Sequence, residues 1–275
     1  MLMYDVIVIG FGKAGKTLAA KLSSQGKKVA LIEKSKSMYG GTCINIACIP
    51  TKTLIVAAEK GLDFEQAMNE KNAVTTRLNG KNYATIAGTG VDIIDATARF
   101  LSNKVIEIQA GDEKEELTAE TIIINTGAVP TILPIPGLAE SKFAVDSTGI
   151  QRLENLPKRL GVLGGGPIGL EFAHLYNTLG SKVTVLDASE TFLPRIEPSI
   201  AALAKGYLEE DGIQFLQGVH TQEIKDGEAS LTLVTDKGDF DFDILLYATG
   251  RKPTTARLGL ENTDIQVTDR GAIQV

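Results

Sequence analysis

Short uninterrupted apolar runs alternate along this chain with stretches whose apolar residues recur at helical spacing. Tyr4-Asp5-Val6-Ile7-Val8-Ile9 is a run of the kind that a parallel strand buried on both faces shows, and it leads straight into Gly10-Phe11-Gly12-Lys13-Ala14-Gly15. A helix is predicted over about 14–24, because Leu18, Ala19 and Leu22 recur at helical spacing and Gly26 is suited to end it. Val29-Ala30-Leu31-Ile32 follows as a second strand and closes at Glu33. The chain therefore opens on a βαβ unit.

The same pattern returns further on. Leu160-Gly161-Val162-Leu163 reads as a strand, Gly164-Gly165-Gly166-Pro167-Ile168-Gly169 as a second glycine motif, and 170–179 as a helix closed by Gly180. Val183-Thr184-Val185-Leu186 then ends in Asp187. Between the repeats, residues 57–90 are polar and predict a solvent-facing helix followed by a loop, with Glu65, Glu70, Lys71, Arg77 and Lys81 marking its wetted face. Residues 91–94, 105–108 and 117–119 read as short strands of a small antiparallel piece. A buried strand over 121–125 ends in Thr126-Gly127-Ala128, and Pro130, Pro134 and Pro136 with Gly137 make a rigid connection. After the second repeat come a helix near 200–210, a strand over 213–216, a hairpin over 230–242 and a strand over 244–248. That strand runs into Thr249-Gly250-Arg251-Lys252-Pro253, an echo of Thr126-Gly127-Ala128-Val129-Pro130.

The expected fold class is α/β, with two Rossmann-like three-layer dinucleotide-binding domains, the second inserted in the first. The expected boundaries are 1–145, 146–253 and a return to the first domain over 254–275. Three glycines suit a dinucleotide for steric reasons: the tight turn, the approach of a pyrophosphate to bare backbone N–H groups, and close helix-to-strand packing leave no room for side chains. Glu33 stands where a carboxylate accepts ribose hydroxyls. Asp187 does so at the second motif, where it would repel the 2′-phosphate of NADP, so NADH is favoured over NADPH even with Arg195 a few residues beyond. Gly10 to Thr17 also spell the phosphate-loop pattern G-x-x-x-x-G-K-T. That reading needs Lys16 at terminal phosphates and explains neither the repeat nor the cysteines.

At 275 residues and 43% apolar the chain can bury a large core. A formal net charge of −6 without any basic cluster argues against a nucleic-acid partner. The uninterrupted apolar runs fall short of the ~20 residues that span a bilayer, and no signal-peptide pattern opens the sequence, so no membrane partner and a cytoplasmic location are expected. The two cysteines, Cys43 and Cys48, lie five positions apart. A close pair can cycle between dithiol and disulfide while carrying two electrons, the alternative being two buried cysteines acting as small hydrophobes. No metal is expected, since His174 and His220 lie far from the pair. Two nucleotide motifs and one cysteine pair suggest a relay from nicotinamide to flavin to disulfide, with FAD at the first motif because the pair follows Glu33 within ten residues.

On the stretches 10–15 with Glu33, 40–52, 126–128, 164–171 and 249–253, the chain resembles the class I pyridine nucleotide-disulfide oxidoreductases, the family of glutathione reductase, lipoamide dehydrogenase and mercuric reductase. The resemblance implies that Cys43 is the interchange thiol that meets substrate and Cys48 the charge-transfer thiol beside the flavin. It places Lys52 near flavin N5 and pairs Glu171 with it across the domain junction. Both thiols would be favoured as thiolates by a helix N-terminus and a nearby cation. It also implies FAD contacts from Gly10, Gly12, Ala14, Gly15, Glu33, Gly41, Thr42, Lys52, Ala98, Thr126, Gly127 and Ala128. Nicotinamide dinucleotide contacts would come from Gly164, Gly166, Pro167, Ile168, Gly169, Asp187 and Gly250.

Within the family, the stretches 10–18, 38–46 and 48–54 resemble the reactive-chlorine-resistance branch, which includes hypothiocyanous acid reductases. Ala47 stands where glycine is usual and Thr51 where serine is commoner. The implied activity passes electrons from NAD(P)H to an oxidised sulfur or oxyhalogen compound such as hypothiocyanous acid, in a homodimer serving oxidative-stress defence. Lipoamide, glutathione disulfide and mercuric ion are competing substrates, and a redox sensor is the non-enzymatic alternative. Family members continue into a Gly-Asp flavin motif and a dimerisation domain with a His-Glu pair, so a truncated form that holds FAD weakly is expected. Neither His174 nor His220 matches the missing base.

Overall fold

A computed structural model describes residues 2–275. In chain order the elements are β1 (Leu2–Ile9), α1 (Lys13–Ser24), β2 (Val29–Glu33), α2 (Thr42–Asn45), α3 (Cys48–Glu59), α4 (Phe64–Ala87), β3 (Asp92–Asp95), β4 (Thr97–Ser102), β5 (Val105–Ala110) and β6 (Glu113–Ile124). There follow β7 (Ala128–Pro130), β8 (Ala144–Val145), β9 (Arg159–Leu163), α5 (Pro167–Thr178), β10 (Lys182–Asp187), α6 (Pro198–Glu210) and β11 (Gln214–Gln217). The last are β12 (Thr221–Asp226), β13 (Leu231–Thr235), β14 (Gly238–Phe242), β15 (Ile244–Tyr247) and β16 (Arg251–Pro253). The fold is α/β, and the chain divides into two compact units, one of Met1–Pro50, Asn72–Val129 and Arg251–Val275 and one of Thr51–Lys71 and Pro130–Gly250.

The first unit is built on a six-stranded sheet in the order β3-β2-β1-β6-β5-β4. Its first four strands are parallel, and β5 and β4 close it antiparallel. The alternation along β1 explains the layering. Ile7 and Ile9 pack with Phe100, Ile106 and Leu117 on one face, while Val6 and Val8 pack with Ala19 of α1 and Ile86 of α4 on the other. Leu258 and Leu260 from the end of the chain complete the first of these clusters.

The second unit repeats the arrangement. Its five-stranded parallel sheet runs β11-β10-β9-β15-β8, so β2-β1-β6 and β10-β9-β15 occupy equivalent positions in the two sheets. A separate antiparallel sheet, β12-β13-β14, lies in the same unit. Gly161 is required here by packing, because a Cβ on it would stand 2.6 Å from the Phe242 ring. The two echoing Thr-Gly stretches meet, since β7 and β16 pair as a two-stranded sheet.

Several expectations are corrected. Residues 64–87 form one helix of 24 residues rather than a helix and a loop, and Lys71 is buried with its ammonium donating to the Gln151 carbonyl (2.6 Å). Burial and the neighbouring Arg152 lower the Lys71 pKa. The stretch 91–94 belongs to the parallel sheet, as β3 beside β2. The expected strands at 117–119 and 121–125 are one strand, β6, whose first half pairs with β5 while its second half runs along β1. Counting uninterrupted apolar runs also passes over Thr42–Glu59, which has the length and mean hydropathy (1.2) of a membrane span. The chain breaks that stretch into α2 and α3, and Leu54, Ala57 and Ala58 of α3 lie in the core of the second unit.

One ion pair fastens the start of the second sheet. Arg159 donates from Nε (3.0 Å) and Nη2 (2.8 Å) to Asp243 Oδ1, and the Arg159 N–H donates to Oδ2 (2.9 Å). Burial alone would raise the Asp243 carboxyl, but the hydrogen bonds and charge of Arg159 outweigh it and hold the pKa below the ordinary value. A depressed carboxylate contributes stability above its unfolded pKa of about 4 and loses that contribution as pH falls through the native value. Asp243→Asn should cost about 1 kcal/mol at pH 7, a figure kept small because Arg159 is half exposed. In chemical denaturation at a series of pH values, that deficit should shrink as the pH is lowered from about 4.

Candidate functional site

The first glycine loop is three residues long, from the end of β1 to the start of α1, and it is shaped by what lies under it. Gly10 has φ +109°, and a Cβ there would stand 2.3 Å from the Asn125 carbonyl oxygen. Cβ atoms on Gly12 and Gly15 would meet Asn125 Nδ2 at 2.8 and 2.5 Å. That amide donates to the Gly10 carbonyl (3.0 Å), so Asn125 is the floor of the loop. In the sequence Asn125 reads only as the end of a strand. Its sole signal was a polar residue closing an apolar run just before Thr-Gly.

Glu33 is buried at the end of β2, where its Oε2 accepts from Phe11 N–H (3.0 Å) and its Oε1 from Ser35 N–H (3.1 Å). The second motif repeats this bond for bond. Asp187 Oδ2 accepts from Gly165 N–H (2.6 Å) and Oδ1 from Ser189 N–H (2.8 Å). Gly10 N–H donates to Ile32 and Gly164 N–H to Leu186, both at 2.8 Å. Each carboxylate oxygen retains an acceptor site for a ribose hydroxyl. Gly169 backs directly on the Gly164 carbonyl, where a Cβ would stand at 2.1 Å, and Gly166, Pro167 and Ile168 start α5. A shallow pocket beside this motif is lined by Gly165, Val185, Asp187, Phe192, Leu193 and Phe215. Both motifs thus present bare backbone N–H groups and an anchored acid, the donor set a dinucleotide requires.

The phosphate-loop reading fails on geometry. Lys16 lies inside α1 and donates to Asn82, and the Thr17 hydroxyl donates to the Lys13 carbonyl (2.7 Å).

The cysteine turn abuts the first motif. Gly41 has φ +79°, and a Cβ on it would lie 2.6 Å from Gly12 Cα, so only glycine lets the two backbones meet. Thr42 and Cys43 open α2, and Cys48 is the first residue of α3. Asn45 braces the turn by donating to the carbonyls of Tyr39 (3.0 Å) and Gly41 (2.8 Å), and Asn79 of α4 donates to Asn45 Oδ1 (3.0 Å). Tyr39 in turn packs its ring, tilted, against those of Phe11 and Tyr83 and donates to Asp95 (2.5 Å). Ala47 fits without a left-handed backbone, since Leu193 is the only non-glycine with positive φ among the described residues.

Both cysteines are exposed free thiols, which removes the reading of the pair as core hydrophobes. Cys43 is hydrogen-bonded to Cys48, and its thiol is pushed above the ordinary value, first by desolvation and then by the hydrogen bond and charge of Cys48. The Cys48 N–H and the Lys13 ammonium pull in the opposite direction but do not prevail. The expected thiolate preference is therefore reversed at Cys43.

Lys52, one turn after Cys48, forms an ion pair with Glu171 at 2.5 Å. Both residues fall in the second unit, because α3 from Thr51 onward packs there. Ala98 lies on β4 opposite Ile108, two residues past Ala96, whose N–H donates to the Glu33 carbonyl (3.1 Å). Gly127 and Gly250 have φ +67° and +114°; Thr254 N–H donates to the Gly127 carbonyl and Thr131 N–H to that of Gly250. Ala128 in β7 accepts from Arg251. Ala14 lies exposed in the first turn of α1 and Thr126 just beyond β6. Of the histidines, His174 lies 3.7 Å from Asp211, and the backbone N–H of His220 donates to Asp236 (2.9 Å).

Two duplicated dinucleotide cradles and a thiol pair set against one of them define a nucleotide-dependent thiol redox protein. The chain matches the pyridine nucleotide-disulphide oxidoreductase family over residues 4–275 and belongs to that family. It is 44% identical over 273 residues to the probable pyridine nucleotide-disulfide oxidoreductase RclA of Escherichia coli strain K12, covering 99% of this chain and 62% of that protein. It is 35% identical to a dihydrolipoyl dehydrogenase of Thermus scotoductus, covering 100% and 63%. The Cu(II) complex of the HOCl-induced flavoprotein disulfide reductase RclA from Escherichia coli superposes with a TM-score of 0.98 at 43% identity, covering 100% of this chain and 63% of that one. The chain thus spans less than two thirds of the length of these relatives.

The causes acting on Cys43 predict a pH effect with a definite sign. Cys48→Ala removes two of the causes that raise the Cys43 thiol and keeps the backbone N–H that lowers it. The midpoint of Cys43 alkylation by iodoacetamide, followed against pH in the reduced protein, should move to lower pH; a midpoint that stays or rises contradicts the assignment.

Proposed function

We propose that this chain carries the nucleotide-binding and redox-active parts of a flavin-dependent disulfide reductase that passes electrons from NADH, through FAD and the Cys43–Cys48 pair, to an oxidised sulfur or oxyhalogen compound such as hypothiocyanous acid. The observation that carries the reading is the contact of Gly41 with Gly12, which holds the exposed thiol pair against the first dinucleotide loop. In this reading residues 1–145 and 254–275 form the FAD domain and 146–253 the NADH domain. Gly10, Gly12, Ala14, Gly15, Glu33, Gly41, Thr42, Ala98, Thr126, Gly127 and Ala128 hold FAD, and Gly164, Gly166, Pro167, Ile168, Gly169, Asp187 and Gly250 hold NADH. Asp187 disfavours the additional phosphate of NADPH. The flavin, when bound, supplies hydride acceptance and thiolate addition.

The protein's own residues have separate tasks. Cys43, as thiolate, attacks the electrophilic sulfur of hypothiocyanous acid and releases hydroxide, forming a Cys43 sulfenyl thiocyanate. Cys48 then attacks Cys43 Sγ, expels thiocyanate and leaves the disulfide. Two thiols are oxidised by two electrons in all, and one hypothiocyanous acid becomes thiocyanate and water. Lys52 holds positive charge one turn from Cys48, oriented by Glu171. The raised thiol of Cys43 favours turnover at alkaline rather than acid pH.

The test is NADH consumption by the FAD-loaded protein with hypothiocyanous acid as oxidant. Cys43→Ser should lower turnover by about a thousandfold. Reversible oxidation of the pair without any catalytic NADH consumption would instead mark a redox sensor. Faster turnover with lipoamide, glutathione disulfide or mercuric ion would move the substrate class.

A further inference from the structure

The acid of each dinucleotide motif is only as well placed as the loop that follows it. Glu33 and Asp187 each accept from a serine N–H two residues on, so a loop free to swing would carry the carboxylate with it. Both loops are pinned one residue further along, and by the same chemical group. Three residues past Glu33 the Lys36 carbonyl accepts from the Asn79 carboxamide (3.2 Å), and three residues past Asp187 the Glu190 carbonyl accepts from the Gln217 carboxamide (3.0 Å). The amides come from elements that do not correspond in the two units, Asn79 from α4 and Gln217 from the end of β11, so the likeness is not a by-product of the duplication. Asn79 also serves the cysteine turn, whereas Gln217 belongs to the second motif alone.

We propose that Gln217 is a positioning residue that fixes the Asp187 carboxylate at the ribose of the nicotinamide dinucleotide and thereby enforces the choice of NADH over NADPH, an inference that rests on the reading of the second motif as the NADH site. Its amide cannot turn over, because Lys205 donates to Oε1 (2.7 Å) and leaves the NH2 group for Glu190. Lys205 is itself held, over the Phe215 ring and 3.6 Å from Glu209. Backbone bonds lie on either side of this tie: Gly218 N–H donates to the Ser189 carbonyl (3.1 Å) and Val219 N–H to the Asp187 carbonyl (3.0 Å). The Lys237 ammonium donates to the Gln217 carbonyl (2.8 Å), and Ser189 Oγ bonds Thr191 within the loop. Gln217 also lines the shallow pocket beside Asp187. Rigidity matters because the acid discriminates by repulsion. A loose carboxylate could still swing in to accept a ribose hydroxyl, but only one that cannot swing out excludes a 2′-phosphate.

Calorimetric binding of NADH and of NADPH to the 275-residue chain tests this without any turnover. Gln217→Met keeps the reach of the side chain and removes its hydrogen bonds. NADH should then bind about three- to tenfold more weakly while NADPH binding holds or tightens, so that the preference between them narrows. In an Asp187→Asn background the same substitution should leave the ratio of the two dissociation constants unchanged, because the group that Gln217 positions is gone. Equal weakening of both dinucleotides, constants that do not move, or the same change of ratio in the Asp187→Asn background would overturn the proposal. A wild-type chain that binds neither dinucleotide, or prefers NADPH, sinks the reading of the second motif and the role of Gln217 together. A wild-type preference for NADH that Gln217→Met does not narrow sinks the role of Gln217 alone. Should Gln217→Met fail to fold by circular dichroism, Gln217→Thr, suited to a strand end but too short to reach Glu190, serves the same purpose.

Discussion

The backbone of Gly41 lies against that of Gly12 with no space for even a methyl group between them. Everything distinctive in the first unit follows from that contact. A side chain on Gly41 would force the cysteine turn away from the dinucleotide loop and leave the thiols as ordinary surface cysteines, whereas one on Gly12 would drive into the Asn125 amide beneath the loop. The contact needs support from both sides. Asn125 holds the dinucleotide loop from below, and Asn45 with Asn79 holds the cysteine turn from outside. The tilted rings of Phe11, Tyr39 and Tyr83 pack in a row beside them. Side-chain amides suit this task because one group both donates and accepts in a fixed plane and carries no charge that would compete with a bound pyrophosphate.

The duplication gives an internal control. Both repeats anchor an acid on the N–H that follows the first glycine and on a serine N–H two residues beyond the acid. The floors differ, however, for Asn125 lies under the first loop and Ala248 under the second. From below, the first loop is thereby braced by a side chain and the second by backbone. That difference accompanies the presence of a thiol pair at the first motif and its absence at the second.

Features whose cause is local were legible in the sequence. Glycine spacing, the acids closing β2 and β10, and apolar runs long enough for single strands all act through adjacent residues, and they identified both βαβ units and the cysteine pair. Features whose cause is tertiary were not. Lys71 reads as a surface charge until the Gln151 carbonyl is brought to it from 80 positions away. β6 reads as two strands because its solvent-side residues interrupt the apolar pattern, and only pairing with β5 and β1 makes it continuous. The Cys43 thiol was expected to favour its thiolate from helix position and charge, whereas desolvation and its own partner outweigh both.

In the proposed function the thiol pair and the first dinucleotide site form one redox unit. Anaerobic reductive titration of the FAD-loaded protein tests it most directly. Uptake of roughly four electrons per flavin is expected, two by the flavin and two by the Cys43–Cys48 disulfide, with a long-wavelength thiolate-to-flavin absorbance at the halfway point. Uptake of only about two electrons without that absorbance, from protein whose cysteines begin as a disulfide, would contradict it.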